Sequence, residues 1–162
     1  ATQRECDAHG LAILCYSPLQ QGLLSGKMLV AGDVADGRRR TRLYGASASD
    51  KSRHGSPGVE QHIFGDDGAL ERLRALCAES GRSMADLTIL WLLAREGVAS
   101  VLVGASTPEQ VARNAACLRA PPLPDELVRR VDEATLPLKH ELFVTQRCPI
   151  DQYARESRIH DA

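Results

Sequence analysis

The sequence predicts an α/β fold built on a parallel sheet, and three observations predict it. Two short all-apolar runs, Leu11–Tyr16 and Val98–Val103, read as strands covered on both faces, because parallel strands lie between layers of helices. Two stretches of helical periodicity separate them and a third follows. That order is the grammar of a βαβ unit with a right-handed crossover. Each run also ends in small residues and a short loop, at the edge of the sheet where such folds place ligands.

Taken in order, the chain opens on polar residues 1–9 closed by Gly10, as a last helical turn with a glycine cap is closed. Ser17-Pro18 stops the first strand, since proline has no N–H for a ladder and restricts its predecessor. Residues 28–65 differ in character, with Gly32, Gly37, Gly45, Gly55, Pro57, Gly58 and Gly65 as punctuation. Arg38, Arg39, Arg40 and Arg42 cluster there, and so long a loop tends to be functional or disordered. Leu70, Leu73, Leu76 and Cys77 then predict a helix from Asp66 to Ser80, ended by Gly81. Ser83 is placed to cap a second helix through Arg95, with Leu87, Leu90, Trp91 and Ala94 on its inward stripe and Gly97 closing it.

After the second strand, Thr107-Pro108-Glu109 has the form of a helix start: a hydroxyl at the cap, proline next, an acid in the first turn. Val111, Ala115 and Leu118 are expected to face inward before Pro121-Pro122 ends the run. Residues 125–134 form a last amphipathic helix, and no structure is predicted beyond Thr135. We therefore expect one folded segment over residues 1–135 and a tail over 136–162.

Composition narrows the function classes. The chain has 162 residues, 43% hydrophobic and 25% charged, with a net charge of -1, which suits one globular unit. No apolar stretch approaches the roughly 20 residues of a membrane helix, and the balanced charge gives no general attraction to nucleic acid. The five cysteines Cys6, Cys15, Cys77, Cys117 and Cys148 form no CxxC pair, so a reduced, cytoplasmic setting is expected and zinc or a disulfide scaffold is not. His9, His54, His62, His140 and His160 show no metal-ligand spacing. The first residue is Ala1, and we expect the chain to be a piece of a longer product.

The chemistry gathers at the two strand ends. Gly104 allows a ligand close to the backbone, and the helix start after it offers free N–H groups to an anion. Ser106 adds a hydroxyl, while Gln110 and Asn114, four apart, project on one face. This suits a phosphate with a ribose or base, though an ordinary capped helix has the same local pattern. At the first strand, Tyr16–Lys27 fits either a phosphate loop with a basic residue or a tight turn without a ligand.

The two segments together, YSPLQQGLLSGK (16–27) and VLVGASTPEQVARN (101–114), closely resemble the C-terminal portion of the aldo-keto reductases. The similarity is to the branch of potassium-channel β-subunits and bacterial aldose or pyridoxal reductases, and it covers residues 10 to 134. It implies the C-terminal part of a (β/α)8 TIM barrel, incomplete as given, with NADP(H) across its mouth. By resemblance Tyr16 stacks on the nicotinamide, Ser17, Pro18, Leu19, Gln20 and Gln21 wrap the pyrophosphate, and Lys27 faces a phosphate. Gly104, Ser106, Gln110 and Asn114 match residues that hold the adenosine and its 2′-phosphate. Arg113 departs from a position that is often acidic; an arginine there either strengthens the 2′-phosphate contact or weakens an adenine contact. Arg40 and Arg42 fall on a loop that in the family folds over the cofactor, where a guanidinium could grip phosphate; a solvated basic face is the other reading.

The family's Asp, Tyr, Lys and His of catalysis come from strands preceding this segment, so the resemblance gives this chain no catalytic residue and predicts no activity for it alone. The complete protein is expected to reduce aldehydes or ketones, or to oxidise alcohols or sugars, with a small carbonyl or sugar as substrate. A regulatory or channel-associated NADP-binding subunit of the same fold and a non-catalytic fragment are the alternatives. With two strands the sheet leaves open edges, so the isolated piece is expected to be marginal, to self-associate, as in a homo-oligomer, or to be a fragment of a longer product.

Overall fold

The computed structural model describes residues 2–33 and 63–140. In order these form α1 (Thr2–Ala8), β1 (Ile13–Tyr16), two 3-10 segments (Gln20–Ser25 and Ala31–Asp33), α2 (Ala69–Ser80), α3 (Met84–Leu93), β2 (Val98–Leu102), α4 (Pro108–Cys117) and α5 (Asp125–His140). The expected strands pair in parallel, with Cys15 opposite Val101 and Tyr16 opposite Leu102, and a register irregularity between Ile13 and Leu14.

Local chemistry sets most boundaries. Gly10, Gly81 and Gly97 close α1, α2 and the turn after α3 with φ of +62°, +65° and +77°, a conformation that costs other residues about 1–2 kcal/mol. The Ser83 hydroxyl accepts from Asp86 N–H at 3.1 Å, and the Thr107 hydroxyl from Gln110 N–H at 3.3 Å, as predicted for both caps. Helix α2 begins at Ala69 rather than Asp66, because Gly68 N–H turns back onto Gly65 C=O at 2.8 Å. Helix α3 stops at Leu93, short of Arg95. Helix α5 runs on to His140, past the predicted end and through Pro137, since Leu138 continues the packed stripe of Leu127, Val131 and Ala134.

The core lies between α2, α3 and α5 and is filled by Leu70, Leu73, Leu76, Leu87, Ile89, Leu90, Leu127 and Val131. Met28 and Ile63 also pack into it; residues 34–62, with Arg38, Arg39, Arg40, Arg42 and Tyr44, lie outside the described residues, as do those from 141. Ion pairs tie α5 down: Arg130 to Glu79 of α2 at 2.6 Å, and Arg95 to Asp132 at 2.5 Å.

Four expectations of burial are corrected. Leu14 and Tyr16 on β1 are 55% and 79% exposed and Leu102 on β2 is 53% exposed, because helices cover one side of this two-stranded sheet. Leu11 lies outside the strand and is exposed. On α4 the face is rotated: Val111, Ala115 and Leu118 point to solvent, while Cys117 is buried and Gln110 and Asn114 are half-buried. On α3, Ile89 is buried in place of the exposed Ala94. No described helix is long and apolar enough to cross a membrane.

Candidate functional site

At the C-terminal ends of β1 and β2 the chain encloses a cleft of about 650 Å3. One wall is the loop after β1: Ser17, Pro18, Leu19, Gln21, Gly22, Ser25 and Lys27. The other is Val103, Gly104, Ser106, Gln110, Arg113 and Asn114, from the end of β2 into α4; Ser83 and Ala85 at the start of α3 complete it.

The first wall is held in an uncommon backbone form. Ser17, Gln20 and Gln21 adopt φ of +52°, +46° and +57°, in the left-handed region where non-glycine residues are rare. Short bonds hold the loop so: Gln20 N–H to Ser17 C=O and Gly22 N–H to Leu19 C=O, both 2.9 Å. Ser25 donates its hydroxyl to Gly22 C=O at 2.6 Å and accepts from Lys27 N–H at 3.4 Å. Strain of this kind clusters at ligand clamps.

On the second wall, Ser106 N–H donates to Gln110 Oε1 at 2.8 Å, bending the entry to α4 over its own side chain. Gly104 is open: a Cβ built on it would meet nothing within 4 Å, so the wall there is bare backbone facing the cleft. Glu109 lies outside the cleft lining, its carboxyl held below the usual range by the Thr107 hydroxyl and by its own N–H. Of the lining residues Lys27 and Arg113 carry charge, both positive, and neither makes an ion pair among the described residues.

Ten of the fourteen predicted site residues thus share one cleft: Ser17, Pro18, Leu19, Gln21, Lys27, Gly104, Ser106, Gln110, Arg113 and Asn114. Tyr16 and Gln20 line a neighbouring apolar groove with Leu14, Leu87 and Trp91, and Arg40 and Arg42 lie outside the described residues. Sequence reasoning missed Ser83 and Ala85. Ser83 reads as a helix cap, and its seat beside the cleft comes from packing α3 against the 3-10 segment after β1. Among the described residues no group of three His, Cys, Asp or Glu is placed to hold a metal ion, and Cys6, Cys15, Cys77 and Cys117 are free thiols.

Residues 3–135 match the model of the aldo/keto reductase family. The chain is 32% identical over 127 residues to an L-glyceraldehyde 3-phosphate reductase of Escherichia coli O157:H7, covering 77% of the chain and 34% of that protein. It is 29% identical over 113 residues to an NADH-specific methylglyoxal reductase of Escherichia coli K12, covering 70% of the chain and 30% of that protein. The chain therefore spans about a third of the length of the curated relatives it matches. A family model that takes in both walls of the cleft identifies the chain as a member of the aldo/keto reductase family.

Proposed function

We propose that residues 1–135 are the cofactor-binding C-terminal part of a (β/α)8 barrel reductase, and that the complete protein transfers hydride between NADP(H) and a small carbonyl compound. The single observation that carries this is the meeting of Ser17–Lys27 and Gly104–Asn114 on one cleft at the strand ends. The residues fit the group: the space a Cβ of Gly104 would fill is open to a ligand lying on the backbone, and the cleft's charges are cationic.

In this reading the turn from Ser17 to Gln21, held in its left-handed form by its own hydrogen bonds, wraps the pyrophosphate. Lys27 balances phosphate charge. Gly104, Ser106, Gln110 and Asn114 hold the adenosine side, with the start of α4 contributing its N–H groups. Tyr16, 79% exposed at the end of β1, offers a flat ring for the nicotinamide, and Gln20 stands beside it on the same groove. The bound nicotinamide supplies or accepts the hydride. The chain's own part is binding and orientation, which brings the reacting carbon into place. The proton donor belongs to the rest of the protein, so the chain alone binds cofactor without turnover. Arg40 and Arg42 enter this reading through the resemblance.

Relatives named as reductases of glyceraldehyde 3-phosphate and methylglyoxal support a small aldehyde or ketone as the substrate class. One of them is named NADH-specific, so the choice of NADP(H) rests on the two cations of the cleft. The test is titration of the intact protein with NADPH and NADH, followed by oxidation of NADPH with a panel of short aldehydes. Micromolar or tighter binding with turnover supports the reading. Absence of nucleotide binding overturns it.

A further inference from the structure

We propose that Arg74, a residue of α2 that lies outside the cleft, positions Lys27 for the anion it faces by clamping the backbone that follows it. The proposal rests on the cofactor reading above and adds to it a residue that touches no ligand.

Lys27 carries its charge at the end of a flexible four-carbon stem, so where that charge stands depends on how firmly its backbone is held. Before it the hold is a turn: Gly26 has φ of +79°, and a Cβ on it would meet the Cβ of Met84, at the start of α3, at 3.8 Å. After it no helix or strand begins before the 3-10 turn Ala31–Asp33. Met28 is buried, but Leu29 and Val30 are exposed, so packing alone does not fix the chain there.

Two charged side chains fix it instead. Arg74 Nη2 donates to Met28 C=O and to Leu29 C=O, both at 3.1 Å, reaching back 46 and 45 residues. Its Nη1 donates to Glu71 Oε2 at 2.9 Å, three residues earlier on α2, which aims the guanidinium. Asp33 holds the amides: its Oδ2 accepts from Leu29 N–H at 2.6 Å and from Val30 N–H at 3.0 Å. Its own N–H closes onto Val30 C=O at 3.0 Å. A cation thus takes the carbonyls and an anion the amides, and such charge-assisted bonds are the stronger kind. The peptide groups directly after Lys27 are thereby tied to α2, whose Leu70, Leu73 and Leu76 are seated in the core.

Neither Arg74 nor Asp33 lines the cleft, and Lys27 is the last cleft residue before the clamped stretch. A lysine on a fixed backbone meets an anion with less freedom left to lose than one on a loose turn. The clamp therefore acts on binding through Lys27.

The experiment is calorimetric titration of the intact protein with NADPH, using wild type, R74A, R74K and D33A, and R74A and D33A again in a K27A background. K27A should weaken binding about tenfold. R74A and D33A should each weaken it about fivefold, while R74K, whose ammonium still has donors for both carbonyls, should stay within about twofold of wild type. In the K27A background either change should weaken binding by less than about twofold further, because the side chain it acts through is gone. An equal fall in both backgrounds assigns Arg74 to the fold and overturns the proposal, as does an R74A that binds like wild type. Should circular dichroism show R74A unfolded, D33A in the two backgrounds decides, since Asp33 is exposed and outside the core. K27A binding like wild type overturns the place of Lys27 in the cleft and the proposal with it. Failure of the wild type to bind NADPH overturns the cofactor reading itself.

Discussion

Ser106 and Gln110 are locked to each other, the backbone N–H of the first donating to the side-chain oxygen of the second at 2.8 Å. The bond fixes which end of the Gln110 amide faces the cleft, and so makes a neutral side chain behave there as a donor.

Gln110→Glu keeps an oxygen for Ser106 N–H but adds a negative charge to a cleft whose two charged lining residues, Lys27 and Arg113, are cations. NADPH affinity is expected to fall by about tenfold or more through like-charge repulsion with phosphate, while the melting temperature moves little. Isothermal titration beside a thermal melt checks both. An unchanged affinity would place Gln110 away from the ligand.

Gly104→Val tests the bare wall. The position has no positive φ and a Cβ there meets nothing within 4 Å, so the fold should tolerate the change to within about 0.5 kcal/mol. The added methyls enter the cleft, and nucleotide binding should drop well below wild type. A denaturation curve read beside the binding isotherm separates the two effects. Large destabilisation would mean that the glycine serves the backbone instead.

Cys117 should resist alkylation. It is 5% exposed, and burial, with the nearby charge of Asp86, pushes its thiol up to about 11. At pH 8 only about one molecule in a thousand carries the reactive thiolate, so iodoacetamide should leave Cys117 unmodified until denaturant is added. Peptide mass spectrometry gives the answer; rapid labelling of the folded protein would contradict the placement of α4.

Acid should loosen the seating of α5. Arg130 donates to Glu79 and holds its carboxyl below the ordinary 4.5, so the folded state binds the proton more weakly than the unfolded chain. The contribution is whole above the unfolded value and fades as pH falls through the lower folded one. Helical melts at neutral pH and below about pH 4 should diverge, and Glu79→Gln should narrow the gap. The pair is exposed, so the effect is small, and equal divergence in the variant would assign it elsewhere.

What could be read from the sequence was what neighbours along the chain decide. Glycines with left-handed φ and the hydroxyl caps of Ser83 and Thr107 are each complete within a dozen residues, and each is found where it was expected; the segments after the two strands are as local, and they meet on one cleft. The face of α4 was not legible. Val111, Ala115 and Leu118 make one stripe and Gln110, Asn114 and Cys117 another, and apolar character alone favours the wrong one. The second stripe is turned inward because it borders the cleft and α3, a matter of tertiary placement. Strand burial failed for a similar reason: apolar residues mark both faces of β1 as suited to cover, but cover depends on what packs there. Ser83 and Ala85 join the site through folding across some sixty residues, which no local pattern records.

The sole tryptophan of the sequence, Trp91 on α3, lies under Arg95, whose guanidinium carbon stands 4.2 Å from the ring centre and whose Nη2 donates to Asp132. Indole emission is sensitive to a cation at that range, and this cation is tethered to α5. The molecule therefore carries a built-in optical gauge: any event that unseats α5 releases the arginine and changes the colour or yield of the light, with no label attached.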